Sequence, residues 1–389
     1  MVALAGSKGY QATSVADLVE VSGVSSRSFY QHFADKEECF LATMEVILTN
    51  LHRLLVSELE EDGNTEERAA RTVLALIENL RAEPAATRVW LIEAFCAGKR
   101  AEGRINLAYD ILATQLQKVY ASLGKEEMPE ELTRAIVRGA GGVVYNRFSS
   151  GREDDVAEIA KEVQAWALGF PVPPGPLRTK ARRRRLPHTD APAPFAAHIP
   201  GERVLRAFAE LCAEKGYAST TISDIAARAS ISQTTLYTHF SGKEDVLKAA
   251  LDSSGAQMVA ATLPAIRRTS ELPRAMRVAA EALCGFFAAD PAFAHLREVE
   301  VFRVGPAAVR VRDRTGHELS VMLAQLTPGA PVEREGVKVE ATLGAIHALL
   351  YSWIRSKGAE TLSAAVPLVT YLALAPWLGG EAAWEAACG

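Results

Sequence analysis

The chain has 389 residues, a hydrophobic share of 49%, a charged share of 23% and a formal net charge of −4. These values fit a folded globular protein long enough for two or more domains, each with its own core, and exclude a disordered chain or a collagen-like fibre. They also exclude a globally basic surface, so any attraction for a polyanion must come from local patches.

The five cysteines, Cys39, Cys96, Cys212, Cys284 and Cys388, are odd in number and lack CxxC spacing. That pattern speaks against a disulfide framework or zinc site and for a reducing cytoplasm. The N-terminus has no basic region followed by a long apolar core and is not expected to be a signal peptide. Ala is abundant, aromatics are sparse and no segment sustains period-two alternation, so the expected fold class is all-α.

In chain order, residues 1–8 leave only Val2, Leu4 and Ala5 for a first apolar stripe. Two readings stay open: a weakly anchored first helix, or a start that lies upstream. Thr13 to Leu18 opens a short capped helix, Val24-Ser25 makes a turn, and a second short helix runs on to Phe33, followed by Lys36-Glu37. Glu37 to Leu59 is one long helical pattern. Another opens at Thr65 and stops at Pro84, Arg88 to Phe95 is short and strongly apolar, and Glu102 to Leu123 follows. Leu132 to Phe148 and Asp154 to Leu168 read as an antiparallel pair.

Pro171 to Pro200 is Pro-rich and carries the basic run Arg178-Thr179-Lys180-Ala181-Arg182-Arg183-Arg184-Arg185. It reads as a linker. The basic run is either a phosphate or minor-groove contact or a solvated tether. Thr361 to Gly380 is uncharged for long enough to span a membrane, but Pro367, Pro376 and several hydroxyl residues interrupt it, and a buried helix is expected there.

After the linker the pattern starts again. A shift of 207 positions puts Gly9 on Gly216, Tyr10 on Tyr217, Thr13 on Thr220, Asp17 on Asp224, Ser25 on Ser232, Tyr30 on Tyr237, His32 on His239, Phe33 on Phe240 and Lys36-Glu37 on Lys243-Glu244, with no gap. Pro84, Glu93 and Gly98 fall on Pro291, Glu300 and Gly305 at the same shift, and Tyr145 falls on Tyr351 at a shift of 206. The whole unit is duplicated, not the short helices alone. In the second copy Arg203 to Lys215 supplies a full amphipathic first helix with Val204, Leu205, Phe208 and Leu211.

Each copy holds a capped short helix, a turn at Val24-Ser25 or Ile231-Ser232, and a polar second helix ending in Phe/Leu-Tyr-x-His-Phe-x-x-Lys-Glu at 29–37 and 236–244. This run resembles the DNA-binding domain of the tetracycline-repressor (TetR) family of transcriptional regulators. The resemblance implies an all-α fold of tandem units, each a helix-turn-helix domain followed by a helical ligand-binding and dimerisation domain. It also implies that the last helix pairs, 132–168 and 335–374, form a four-helix bundle, so that one chain imitates the family's dimer. The expected boundaries are 1–48 and 49–170 for the first unit, 171–200 for the linker, and 201–252 and 253–389 for the second unit.

A recognition helix reads base edges in the major groove with polar side chains. The candidates are Ser26, Arg27, Ser28, Tyr30 and Gln31 in the first copy and Gln233, Thr234, Thr235, Tyr237 and Thr238 in the second. Arg27 suits guanine, and Gln31 or Gln233 suits adenine. By resemblance, Thr13, Thr220, Tyr30, Tyr237, His32, His239, Lys36 and Lys243 would hold phosphates. Thr220 or Thr221 can cap the first short helix of the second copy and Ser232 the next; Ser14, Ser25, Thr221 and Ser232 join the DNA-binding candidates, since helix N-termini attract anions. The second head has no Lys or Arg between Arg228 and Lys243, and the two heads differ at Arg27 and Thr234, so an imperfect palindrome is the expected target.

Trp90, Phe95, Tyr109, Phe286, His295 and Phe302 are candidate pocket walls, although ordinary core positions carry the same residue types. Trp90 falls on Arg297, so the two bodies take different ligands or only one is competent. No HExxH, nucleophile elbow or phosphate-binding glycine loop is present, no metal or cofactor is expected, and the chain is not read as an enzyme. The expected function is a cytoplasmic, nucleoid-associated, ligand-responsive transcriptional regulator of repressor type. Its expected partners are an operator DNA and a small-molecule effector, and no membrane. The alternative is a helical small-molecule- or partner-binding protein with degenerate heads.

Overall fold

The computed structural model describes residues 1–60, 64–125, 127–178, 200–269, 271–326 and 336–389. The described residues are overwhelmingly helical, with no strand among them. It divides into two compact units, Met1–Gly169 and Phe170–Gly389. Residues 179–185, most of the basic run, lie outside the described residues.

In the first unit the head comprises α1 (Val2–Lys8), α2 (Val15–Ser22) and α3 (Ser26–His32). Leu18, Phe29 and Cys39 form its small core, packed by Met1, Leu4, Val15, Val19 and Phe33. Despite its brevity α1 is seated: Ala5 is buried, and a Cβ added at Gly6 would meet Ala85 at 2.9 Å. The long α4 (Lys36–Glu60) carries the head into a body of α5 (Thr65–Ala82), α6 (Pro84–Arg88), α7 (Ala94–Cys96), α8 (Lys99–Ser122), α9 (Glu130–Ser149) and α10 (Val156–Leu168). Between α6 and α7, Val89–Glu93 winds as a π-helical turn, a local widening that often marks functional positions.

The second unit repeats the plan. Its head is α11 (Pro200–Lys215), α12 (Ile222–Arg228) and α13 (Gln233–Tyr237). Its body is α14 (Lys243–Ile266), α15 (Leu272–Ala289), α16 (Pro291–His295), α17 (Val301–Val304), α18 (Pro306–Leu326), α19 (Gly336–Lys357), α20 (Val366–Leu378) and α21 (Gly380–Cys388). The π turn recurs at Leu296–Glu300, between α16 and α17. Ala359–Leu378 passes the length and hydropathy test for a membrane span. In this fold every residue of α20 from Val366 to Ala375 is buried in the second unit, where a core helix was expected.

The segment read as the start of the linker belongs to the second unit. Phe170 is buried with its ring 6.3 Å from that of Tyr371. The Tyr371 hydroxyl donates to the Pro171 carbonyl at 3.0 Å, and the Trp384 indole N–H to the Gly175 carbonyl at 3.0 Å.

One backbone difference separates the heads. Gly23 ends α2 in the left-handed conformation (φ 69°), whereas Ser230, its counterpart, adopts φ 54° with a side chain attached. Left-handed backbone costs a non-glycine residue roughly 1–2 kcal/mol. Ser230→Gly should therefore raise the stability of the second unit by about 1 kcal/mol, seen as a higher denaturant midpoint. An unchanged or lower midpoint would remove the claim of strain at this turn.

Candidate functional site

Each head is built by reciprocal capping. The Ser14 hydroxyl accepts from the Asp17 N–H at 3.1 Å, and the Asp17 carboxylate accepts from the Ser14 N–H at 2.7 Å. Thr221 and Asp224 repeat the box at 3.2 and 2.9 Å. Hydrogen bonds from Lys8 and then Ser14 hold the Asp17 carboxyl well below the usual carboxylate range, and Lys215 and Thr221 do the same for Asp224. The reading helices are capped by Ser25, which accepts from the Ser28 N–H at 3.1 Å, and by Ser232, which accepts from the Thr235 N–H at 3.0 Å.

The outer face of α3 presents Ser26, Arg27, Tyr30, Gln31 and His32 to solvent, with Ser28 half-buried. Gln233, Thr234, Thr235, Tyr237, Thr238 and His239 are exposed in the second head. Its reading helix is shorter than expected, because α13 ends at Tyr237. The Thr238 hydroxyl bonds back to the Thr235 carbonyl at 2.6 Å, and Thr238 and His239 lie in the following turn. Arg228 faces away from the reading helix: its guanidinium is bonded to Glu214 at 2.9 and 2.7 Å and reaches Glu210 at 3.4 Å.

Of the expected phosphate ligands, Thr13 and Thr220 are turned inward, and Lys36 and Lys243 bond within their own heads. Thr13 and Thr220 are each 1% exposed. Their hydroxyls donate to the Gly9 and Gly216 carbonyls at 2.8 and 2.9 Å, so the outward hydroxyls are those of the neighbouring caps, Ser14 and Thr221. The Lys36 ammonium donates to the Tyr10 carbonyl at 3.0 Å and lies 4.2 Å over the Tyr10 ring; Lys243 does the same to Tyr217 at 2.9 and 4.1 Å. Burial lowers the pKa of both lysines.

These four residues fasten a knot between head and body that sequence reading missed. The Tyr10 N–H donates to Glu93 Oε2 at 2.6 Å and the Tyr217 N–H to Glu300 Oε2 at 2.8 Å. Gly9 (φ 87°) and Gly216 (φ 84°) turn the chain there. A Cβ at Gly9 would lie 3.3 Å from the Glu93 carboxylate. Both glutamates end the π turn, and the shift of 207 that aligns them was the available signal.

The first body holds a partly open cavity of about 190 Å³, walled by Leu76, Ile77, Leu80, Trp90, Tyr109 and Leu116 among others, with Thr72, Gln115 and Gln164 among its polar side chains. Of the expected pocket walls, Trp90 and Tyr109 line it, whereas the buried Phe95 is not among its lining residues. Tyr109 packs against Gly141, where an added Cβ would overlap its hydroxyl.

The equivalent positions in the second body carry buried charge. Arg297, Glu298 and Arg312 are 0%, 0% and 4% exposed. Arg297 donates to the Arg312 carbonyl at 3.0 Å and the Leu251 carbonyl at 3.4 Å, and Glu298 pairs with His347 Nδ1 at 2.9 Å. Burial works against the Glu298 charge, but His347, Arg312 and Arg297 outweigh it and hold the carboxyl below its ordinary range. Phe286, His295 and Phe302, the expected walls here, are used otherwise. Phe286 stacks in the core with Phe287 and Phe293. His295 Nε2 lies 3.4 Å from Glu300, and Phe302 packs edge-on to Tyr351 under Arg312.

The sequence matches the family model described as bacterial regulatory proteins, tetR family, at residues 2–43 and 204–250. None of the curated proteins matches it. Part of the chain is similar to the fatty acid degradation regulator FadR from Bacillus halodurans, at 17% identity and a TM-score of 0.40, over 46% of this chain and 98% of that one. FadR from Bacillus subtilis, solved in complex with stearoyl-CoA, gives 18% identity and a TM-score of 0.39 over 46% and 97%. PfmR from Thermus thermophilus, a TetR family transcriptional regulator, gives 25% identity and 0.34 over 43% and 96%. With both capped heads matched, the chain carries the N-terminal, DNA-binding domain of the tetR family of bacterial regulatory proteins twice.

Proposed function

We propose that the protein is a cytoplasmic, nucleoid-associated repressor whose single chain supplies both heads to an imperfect palindrome and whose first body takes an apolar effector. The observation that carries this reading is the doubled capped head with an exposed reading face, unequal in its side chains. The largely apolar walls of the first-body cavity favour an aliphatic or aromatic effector with at most one polar end. Helix N-termini at Ser14, Ser25, Thr221 and Ser232, with Tyr30, Tyr237, His32 and His239 beside them, are the proposed phosphate contacts.

A second reading, degenerate heads on a ligand-binding protein, is favoured by the second head alone: a five-residue α13 and an Arg228 held by Glu210 and Glu214. A gel shift of the full chain on the DNA flanking its own gene, titrated with salt, decides between them. The repressor reading requires binding well above that to random DNA, falling steeply with salt. Equal binding to both DNAs would leave the second reading standing.

A further inference from the structure

We propose that the two heads are held unequally: occupancy of the first-body cavity releases the first head through Glu93, while Glu300 keeps the second head fixed. The inference rests on the effector reading above and names the residues that would carry it.

The Gly-Tyr turn of each unit is where the head is tied to the body. In the first unit it joins the end of α1, the entry to α2, the first residue of α4 and the π turn, through Thr13, Lys36 and Glu93. The π turn is also a cavity wall, since Trp90 and Leu91 line the space and Glu93 follows within the same five residues. A ligand pressing on Trp90 or Leu91 therefore displaces the segment that positions the Tyr10 N–H. Packed side chains pass on such shifts because they have few voids to absorb them.

In the second unit the same five residues are anchored. At the positions of Trp90 and Leu91 stand Arg297 and Glu298. They tie the π turn to α14 through the Leu251 carbonyl, to α18 through the Arg312 carbonyl and to α19 through His347. Glu300 is itself gripped by Arg303 and His295 as well as by the Tyr217 N–H. Burial opposes its charge, and His295, the Tyr217 N–H and Arg303 outweigh it, holding the carboxyl low. Glu93 is the reverse case. Burial pushes its carboxyl up, against weaker pulls from the Tyr10 N–H and Arg88.

Helix packing was exchanged to match. Tyr109 on α8 lies over Gly141 on α9, whereas in the second unit Gly316 on α18 faces His347 on α19. The large residue has moved to the other helix, and there it reaches Glu298.

Amide hydrogen exchange, read on peptides covering 9–13 and 216–220 of the full chain, tests the inference, with the apolar dye N-phenyl-1-naphthylamine as probe. Dye uptake should be lost in Gly141→Phe, or in Leu116→Trp if the first variant fails to fold. Saturating dye should speed exchange at 9–13 about tenfold and leave 216–220 unchanged. Without dye, Glu93→Ala should raise exchange at 9–13 by about tenfold, the loss of one hydrogen bond at about 1.4 kcal/mol. Glu93→Gln, whose amide oxygen can still accept, should retain protection. Dye uptake with both peptides moving alike, or with 9–13 unmoved, overturns the inference and leaves the effector reading intact. No uptake overturns both. Unchanged exchange in Glu93→Ala removes Glu93 from the joint.

Discussion

Truncating Glu298 to alanine should cost the second unit about 3–5 kcal/mol, because removing one partner of a buried ion pair strands the other. Arg297 is 0% exposed, and its Nε, which makes no hydrogen bond, faces Glu298 at 3.9 Å. Burial pulls the Arg297 guanidinium down to about 10 against the support of Glu298, so at neutral pH it stays charged and would lose that support. Replacing the set with apolar residues should behave differently. Arg297→Met, Glu298→Leu and Arg312→Ile together, the last two copied from Leu91 and Ile105 of the first unit, should restore most of the loss. The pH dependence has a definite sign. Glu298 is depressed in the fold, so its contribution is complete above the unfolded carboxylate value of about 4.3 and fades as pH falls through the lower folded value. Calorimetry of the two variants decides. A Glu298→Ala loss under about 1 kcal/mol would mean that the charges are individually dispensable, against the mechanism of stranded burial.

Arg27→Ala should weaken binding to the preferred DNA roughly five- to 150-fold, the span of about 1–3 kcal/mol for a bidentate base contact. Arg27 is the one Lys or Arg within α3, and it is exposed. The loss should be concentrated on one base pair of one half-site. If the variant instead weakens all sequences equally and flattens the salt slope, Arg27 holds a phosphate and reads nothing. The second head offers the mirror test. Thr234 stands at the matching position, and Thr234→Arg should strengthen binding at the other half-site if α13 lies in a groove.

The all-helical fold and the doubled head were legible because both rest on local chemistry. Capping hydroxyls and a gapless repeat are properties of the chain order itself. The reading failed where two like residues stand side by side. Thr13 and Ser14, or Thr220 and Thr221, are equal in propensity, and only the packed turn turns one hydroxyl inward to Gly9 or Gly216 and leaves the other to cap. The bonds of Lys36 and Lys243 to their heads were hidden for a related reason, since nothing in the sequence marks a lysine that will sit over a tyrosine 26 positions earlier. The π turns were invisible as well. An apolar run such as Val89 to Ile92 satisfies any helical period, and nothing in it marks the widened turn that ends at Glu93, the acceptor of the Tyr10 amide. Trp90 and Tyr109 could be named as cavity walls, but aromatic residues in the core and in a pocket look alike in sequence, so Phe95 and Phe302 were included with them.

The exchange of Tyr109–Gly141 for Gly316–His347 has a consequence for descent. A single change at one member of a pair alters the space left for the other. A side chain at 141 collides with Tyr109, and a side chain at 316 approaches His347. The intermediate with both small residues opens a hole, and the one with both large residues overfills the core. Substitutions at contacting sites of this kind are strongly non-additive. Recombination that swapped α9 and α19 between the two halves would produce one overcrowded body and one hollow one. The divergence of this pair therefore works against exchange of α9 and α19 between the duplicated halves.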